Sequence, residues 1–85
     1  MKNEIIIDVR TEDEWEMDGH AKCSVNYPLD MFDDKIEELK KYDKITLVCR
    51  SGGRAGLAKS MLINAGYDKP IENLGPWQNV SCSSN

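Results

Sequence analysis

Cys49 lies where an apolar run, KITLVC, gives way to a loop of arginine and small residues, CRSGGRA. A cysteine attacks as a thiolate, and nearby cations and a helix N-terminus stabilise that form. Arg50 and Arg54 supply the cations. Between them lie three small residues whose backbone N–H groups can curl inward around the sulfur: Ser51, Gly52 and Gly53. The pattern predicts a loop that holds negative charge on and around one sulfur.

The same residues also allow a purely structural interpretation. A cysteine that ends a buried strand is often only a small hydrophobic residue, and two glycines before a helix often form only a turn. The two arginines and two glycines that separate Cys49 from the next predicted helix favour the reactive thiolate instead.

The segments around this loop alternate between strand-like and helix-like patterns. Short apolar, β-branched runs predict strands at 4–9, 23–27, 44–49 and 70–74. The spacing of apolar side chains predicts helices at 11–17, 31–41 and 54–65. Thr11 and Glu14 form a capping-box pattern for the first helix, and Asp30 is the expected N-cap of the second.

Short connections between alternating strands and helices indicate an α/β fold. We expect a small parallel sheet of about four strands, flanked by helices. Ligands of open parallel sheets bind beyond the carboxyl ends of the strands, so the Cys49 loop is the leading candidate site.

Length and charge exclude several classes of function. With 85 residues, the chain is expected to form a single domain, 1–85, in which 81–85 (SCSSN) is a frayed tail.

The formal net charge of −4 disfavours both nucleic acid and an anionic membrane surface as partners. No apolar stretch is long enough to cross a membrane. Without a heptad pattern or a large apolar stripe, a monomer is expected.

The cysteine and histidine counts give no support for a metal site or a disulfide framework. An odd number of cysteines (Cys23, Cys49 and Cys82), with no CxxC pair and one histidine, leaves at least one thiol free. We expect no metal and no cofactor. A reducing cytoplasm is the simplest location, and the periplasm is the alternative if a leader segment was removed.

Four blocks across residues 5–77 resemble those of the rhodanese-like sulfurtransferases, in the same order. CRSGGRA resembles the active-site loop of that family, in which four loop residues separate a cysteine from an arginine at a helix start. IIIDVRTEDEW and GHAKCSVNYP resemble the first two conserved blocks, and AGY with NLGPW resembles the last. The chain departs from the family in three places. Cys23 and Pro76 replace glycines, and the strand and helix that usually precede the DVR motif are missing.

The resemblance implies a thiosulfate sulfurtransferase of minimal, single-domain form. In that reaction the Cys49 thiolate takes the outer sulfur of thiosulfate and sulfite leaves, after which cyanide or a thiol removes the sulfur from the Cys49 persulfide. Two such half-reactions are covalent catalysis. Arg54 is expected to close the loop and add positive potential at its rim, and Arg50 to project outward towards the thiosulfate dianion. The implied substrate-binding residues are Arg50, Ser51, Gly52, Gly53, Arg54, Ala55 and Arg10.

Three polar residues outside the loop have more than one possible role. Arg10 ends the strand expected beside that of Cys49, and in the functional interpretation it adds to a cationic rim. Asp8 is expected to cap backbone groups or to brace the loop by pairing with an arginine. His20 is expected to make a structural hydrogen bond, because attack by a preformed thiolate needs no general base.

Two other classes of function have the same fold. A phosphatase or arsenate reductase also holds an anion beside a cysteine, but that loop has five residues between cysteine and arginine, whereas this loop has Arg50, Ser51, Gly52 and Gly53 alone. The shorter loop suits a sulfur atom better than a tetrahedral oxyanion. The non-enzymatic alternative is a redox sensor, a sulfur carrier or a protein-interaction module.

Overall fold

In the part of the chain that the structure describes, four parallel strands build one sheet: β1 (Glu4–Asp8), β2 (Val25–Asn26), β3 (Lys44–Cys49) and β4 (Ile71–Pro76). Their spatial order is β2-β1-β3-β4. The structure, a computed structural model, describes residues 3–82. Its α-helices are α1 (Glu12–Met17), α2 (Ile36–Leu39) and α3 (Gly53–Asn64). The predicted fold class, a four-stranded parallel sheet flanked by helices, is confirmed.

Alternate side chains of the two central strands form the core. Ile7 of β1 and Leu47 of β3 are register partners, and both are fully buried. They belong to one apolar cluster that also contains Phe32, Leu39 and Leu62 from the helical segments. Each fully buried side chain of this size contributes about 1.5–3 kcal/mol to folding. This layer therefore fixes β3, and with it the start of the Cys49 loop.

The ends of α1 and α3 follow the predicted signals. Thr11 Oγ1 accepts a hydrogen bond from the Glu14 N–H at 3.2 Å, and the Glu14 carboxylate accepts one from the Thr11 N–H at 3.0 Å. This is the predicted capping box. Gly66 follows α3 with a φ of +95°, the left-handed conformation in which a C′ glycine commonly ends a helix.

The predicted helix at 31–41 is only partly correct. Leu29–Lys35 form a 3₁₀ helix that begins directly after Pro28, and a single α-helical turn, α2, follows it. Asp30 makes no capping hydrogen bond there. Aspartate side chains compete for nearby backbone groups and so disfavour the α-helix interior. Three of them lie in this segment: Asp30, Asp33 and Asp34.

A disulfide joins Cys23 to Cys82 across 59 residues of sequence. The cysteine count gave no support for this bond, because a count cannot show that two distant Cα atoms lie 5.6 Å apart. Cys49 is the free cysteine, as the odd count requires. The expected frayed tail, 81–85, is tied to the sheet at Cys82, and 83–85 lie outside the described residues. Disulfides persist in oxidising compartments, so the thiol count no longer favours a reducing cytoplasm.

Among residues 3–82, no helix is long and apolar enough to cross a membrane. Within the same range, no three His, Cys, Asp or Glu side chains come together as ligands for a metal ion.

Candidate active site

The loop after β3 wraps the Cys49 sulfur in backbone. Cys49 ends β3 and has 1% of its surface exposed. The chain then turns at Gly52, whose φ of +102° lies in the left-handed region that favours glycine, and α3 begins at the next residue. The Gly52 N–H donates to Cys49 Sγ at 2.8 Å. The sulfur therefore lies at the junction of a strand end, a tight turn and a helix N-terminus.

Backbone N–H groups lower the pKa of the Cys49 thiol. Burial is the largest single influence and raises this pKa, because a charged thiolate loses its water. Four N–H groups act in the opposite direction and together outweigh burial: those of Ala55, Gly52, Ser51 and Arg54. The thiolate is the nucleophilic form, so the loop raises the reactive fraction of Cys49 at neutral pH.

A carboxylate from α1 holds the last arginine of the loop. Arg54 Nη1 and Nη2 donate to the two carboxylate oxygens of Glu14 at 2.6 and 2.8 Å. The hydrogen bond from Arg54 is the main cause that lowers the pKa of Glu14 to about 2, and the Thr11 N–H adds to it. The same ion pair raises the pKa of Arg54. Glu14 thus joins the start of α3 to α1, and it offsets the positive charge expected from Arg54 at the rim.

An amide from β4 supports the loop from the other side. Asn73 Nδ2 donates to the Gly52 carbonyl at 3.0 Å, and Asn73 Oδ1 accepts from the Gly75 N–H at 2.9 Å. The β3–β4 register shifts beside these residues, between Leu47 and Val48. A Cβ atom on Gly52 would lie 3.2 Å from the Gly75 Cα, a tight contact that adds to the strain of a side chain at this positive φ.

Glu14 and Asn73 are absent from the site predicted by sequence. The capping-box pattern already gives Glu14 a role, which hides its second partner 40 residues away. The sequence signal that points to Glu14 is the need of Arg54 for a carboxylate that offsets its charge. For Asn73 the sequence offers no comparable signal, because its partner is a backbone carbonyl.

The predicted loop residues occupy three kinds of position. Arg50 and Ser51 are exposed, which agrees with an arginine that projects outward. Gly53 is also exposed, Gly52 and Arg54 are half-buried, and Ala55 is fully buried against the core. Among the described residues, Arg50 makes no ion pair or side-chain hydrogen bond. Binding of a substrate anion by these residues stays a prediction.

Arg10 is not part of an exposed rim, and this prediction is corrected. Its side chain is 1% exposed and lies beside the fully buried carboxylate of Asp8, with Arg10 Nη2 donating to Asp8 Oδ2 at 2.8 Å. Arg10 Nη2 also donates to the Gly19 carbonyl at 2.7 Å. A charge this deep must be paired, and the pairing uses its donors internally. The expectation that Asp8 pairs with an arginine matches this geometry.

His20 lies outside the loop, and its contacts are a ring stack and a hydrogen bond. Its ring stacks on Trp15 with centroids 3.6 Å apart and planes at 6°. Its Nδ1 lies 2.8 Å from the Trp15 carbonyl, a contact in which Nδ1 carries the proton and donates. These contacts match the structural hydrogen bond expected for it.

Comparison with known families agrees with this geometry. A model of the Rhodanese-like domain family matches residues 1–79. The chain belongs to the rhodanese-like domain family. Among solved structures, it is similar to a rhodanese with anions from Escherichia coli, with a TM-score of 0.79, 28% identity and 94% of each chain covered.

Two curated relatives carry names that describe sulfur chemistry. The chain is 29% identical to the thiosulfate sulfurtransferase PspE of E. coli over 77 residues, which cover 88% of this chain and 72% of PspE. It is 33% identical over 66 residues to YrkF of Bacillus subtilis, named as a candidate sulfur carrier protein. That match covers 78% of this chain but 35% of YrkF.

Substituting the two loop glycines one at a time tests whether the turn activates Cys49. Gly52→Ala is expected to lower the free energy of unfolding by about 1–2 kcal/mol, because alanine is strained at positive φ, and to slow iodoacetamide alkylation of Cys49. The matched variant Gly53→Ala meets no atom within 4 Å and lies in the first turn of α3. It should retain wild-type alkylation and stability, or gain about 0.5–1 kcal/mol. Equal alkylation rates in both variants would contradict a role for the turn.

Replacing Glu14 by Gln tests the ion pair, with Glu12→Gln on the same helix as the control. Folding lowers the pKa of Glu14 from 4.5 to about 2, so its contribution to stability is present above pH 4.5 and is lost as the pH falls towards 2. Urea unfolding should show Glu14→Gln less stable than wild type by about 0.5–1 kcal/mol at neutral pH. The difference should shrink between these two pH values. If the stability difference does not change with pH, or if Glu12→Gln loses as much stability, the Glu14–Arg54 pair does not stabilise the fold.

Proposed function

We propose that the protein is a sulfurtransferase that moves a sulfane sulfur from thiosulfate, or a related donor, through a persulfide on Cys49. The observation that carries this proposal is the buried Cys49 sulfur held by backbone N–H groups that lower its pKa. The same groups suit a persulfide, which is also an anion centred on sulfur. The resemblance to PspE and to the E. coli rhodanese supports the same chemistry.

The reaction has two half-reactions at one sulfur atom. The Cys49 thiolate attacks the outer sulfur of thiosulfate, a sulfur–sulfur bond forms, and sulfite leaves with the electron pair of the bond that breaks. Cyanide or a thiolate acceptor then attacks the outer sulfur of the persulfide and returns Cys49 as a thiolate. No proton transfer is needed if Cys49 begins as the thiolate, so His20 has no required part. Ping-pong kinetics follow from this order.

Arg50 is the arginine of the loop that we assign to the donor anion. Arg54 is paired with Glu14, and Arg10 is buried with Asp8, so their charges are already offset. Arg50 is exposed next to Cys49. An exposed cation at this place attracts a dianion without the cost of breaking an existing pair.

The loop length favours sulfur transfer over hydrolysis of a phosphate ester. Four residues lie between Cys49 and Arg54, and the Gly52 N–H already contacts the sulfur. A tetrahedral oxyanion needs a wider loop around its oxygen atoms. The second candidate function is a sulfur carrier that passes the same persulfide sulfur to a protein acceptor, which the similarity to YrkF favours.

Intact-protein mass spectrometry after incubation with thiosulfate tests the proposed persulfide. The wild-type protein should gain one sulfur, about 32 Da, on the activated thiolate and lose it on addition of cyanide. Cys49→Ser should gain none. Cyanide is preferable to a dithiol as the acceptor, because a dithiol also reduces the Cys23–Cys82 disulfide.

If neither thiosulfate nor 3-mercaptopyruvate gives a mass gain, the proposed sulfur transfer is wrong. An aryl phosphate that the wild type hydrolyses and Cys49→Ser does not would then support the phosphatase alternative.

A further inference from the structure

The last described residues cross the sheet from one edge to the other. We call residues 77–82 the C-terminal strap. It begins with the 3₁₀ turn Trp77–Asn79 directly after β4 and ends at Cys82, which is bonded to Cys23 just before β2. β4 and β2 are the two opposite edges of the sheet. The strap starts beside the loop, because Pro76 is the register partner of Cys49.

The strap places Trp77 over the buried side chain of Arg10, which follows β1. The Arg10 guanidinium lies 4.9 Å from the centre of the Trp77 ring. The indole also packs on Gly19, where an added Cβ would lie 3.4 Å from it. A cation over an indole face is attracted to the ring and is shielded from water by it. Trp77 therefore helps to keep Arg10 buried and in place.

Arg10 in turn holds α1 against the end of the sheet. Its guanidinium donates to the Gly19 carbonyl at 2.7 Å and to the Glu14 carbonyl at 3.4 Å. The side chain of the same Glu14 holds Arg54, whose N–H is one of the groups that lower the pKa of Cys49. A continuous series of contacts thus runs from the strap to the loop that surrounds the sulfur.

We propose that the Cys23–Cys82 disulfide is a redox-sensitive positioning element for Cys49. When oxidised, it holds the strap, and through Trp77 and Arg10 the strap keeps α1 and Glu14 placed to order the loop. When reduced, it releases the strap, and Cys49 becomes less reactive. This inference deepens the proposed function, since it concerns regulation of the same sulfur.

The reductant for this step is a thiol or a protein dithiol. Its thiolate attacks one sulfur of the disulfide, which forms a mixed disulfide and releases the other protein sulfur as a thiolate. A second thiol then attacks the reductant's sulfur in the mixed disulfide and displaces the remaining protein sulfur. Two electrons pass to the protein, which gains two thiols, and the reductant leaves as its own disulfide. Because the thiols that accept sulfur from a persulfide belong to the same chemical class, a reducing environment acts on both steps.

The pH dependence of Cys49 alkylation by iodoacetamide measures the proposed effect. The oxidised wild type is compared with Cys23→Ser/Cys82→Ser, at a temperature at which circular dichroism shows both to be folded. The midpoint of the profile should rise by about half to one pH unit in the double variant. The rate at neutral pH should fall about two- to fourfold, because the thiolate fraction of Cys49 becomes smaller. The fall is limited because a thiolate of higher pKa is more nucleophilic. An unchanged midpoint overturns the proposal.

A second pair of variants tests the route through Trp77. Trp77→Ala should raise the midpoint of the alkylation profile, as the loss of the disulfide does. Removing the disulfide from the Trp77→Ala variant should then raise the midpoint little further. Gln78→Ala, an exposed position in the same turn, is the control and should leave the midpoint unchanged. Shifts that simply add would overturn the route.

Wild-type protein reduced by a phosphine provides an independent check on the double variant. The phosphine takes up an oxygen atom from water and leaves two thiols, and peptide mapping isolates the alkylation of Cys49 from that of Cys23 and Cys82. The reduced protein should reproduce the profile of the double variant. If reduced protein and double variant both fail to fold at every temperature, the disulfide is only a structural requirement and the proposal is overturned.

Alkylation does not require sulfur transfer, so the two proposals fail separately. If the persulfide forms normally but the midpoint of the alkylation profile is the same with and without the disulfide, this inference alone is overturned. A midpoint that follows the disulfide in a protein that forms no persulfide overturns the proposed function and leaves the redox effect on Cys49 standing.

Discussion

Burial and backbone hydrogen bonding compete at one sulfur atom of this protein, and the arrangement of the loop around it decides the outcome. Cys49 is almost wholly buried, which by itself favours the neutral thiol. Backbone N–H groups of the loop and of the first turn of α3 reverse that preference. The N–H groups can converge on the sulfur because Gly52 adopts a positive φ. The lowered pKa of Cys49 comes from backbone N–H groups, whereas the side chains of Arg10 and Arg54 are paired with carboxylates.

The loop is held in this shape from both sides. Glu14 accepts hydrogen bonds from the side chain of Arg54 on one side, and Asn73 donates a hydrogen bond to the carbonyl of Gly52 on the other. Glu14 lies on a helix that Arg10 fastens to the sheet, and Trp77 covers Arg10. A chain of 85 residues can build only a thin core. Here polar contacts and one disulfide add to the apolar packing at the carboxyl end of the sheet.

The sequence predicts those features that depend on local patterns and fails where distant residues meet. The strands, α1 with its capping box and the sharp turn after Cys49 all follow from local spacing and residue type. The burial of Arg10 does not, because the sequence places this residue at the carboxyl end of a strand, where exposure is ordinary. The Cys23–Cys82 bond and the Asn73 support join segments far apart in the chain. Only the three-dimensional structure brings these partners together.

A pH titration of the Cys49 thiolate, followed by its ultraviolet absorbance in the oxidised protein, shows whether backbone hydrogen bonding or burial sets its pKa. Cys49→Ser provides the baseline, and the paired Cys23 and Cys82 do not titrate. If the backbone N–H groups outweigh burial, the absorbance step should lie below the ordinary cysteine pKa of about 8.5. A step at or above that value would mean that burial dominates, and the case for an activated nucleophile at Cys49 would fall.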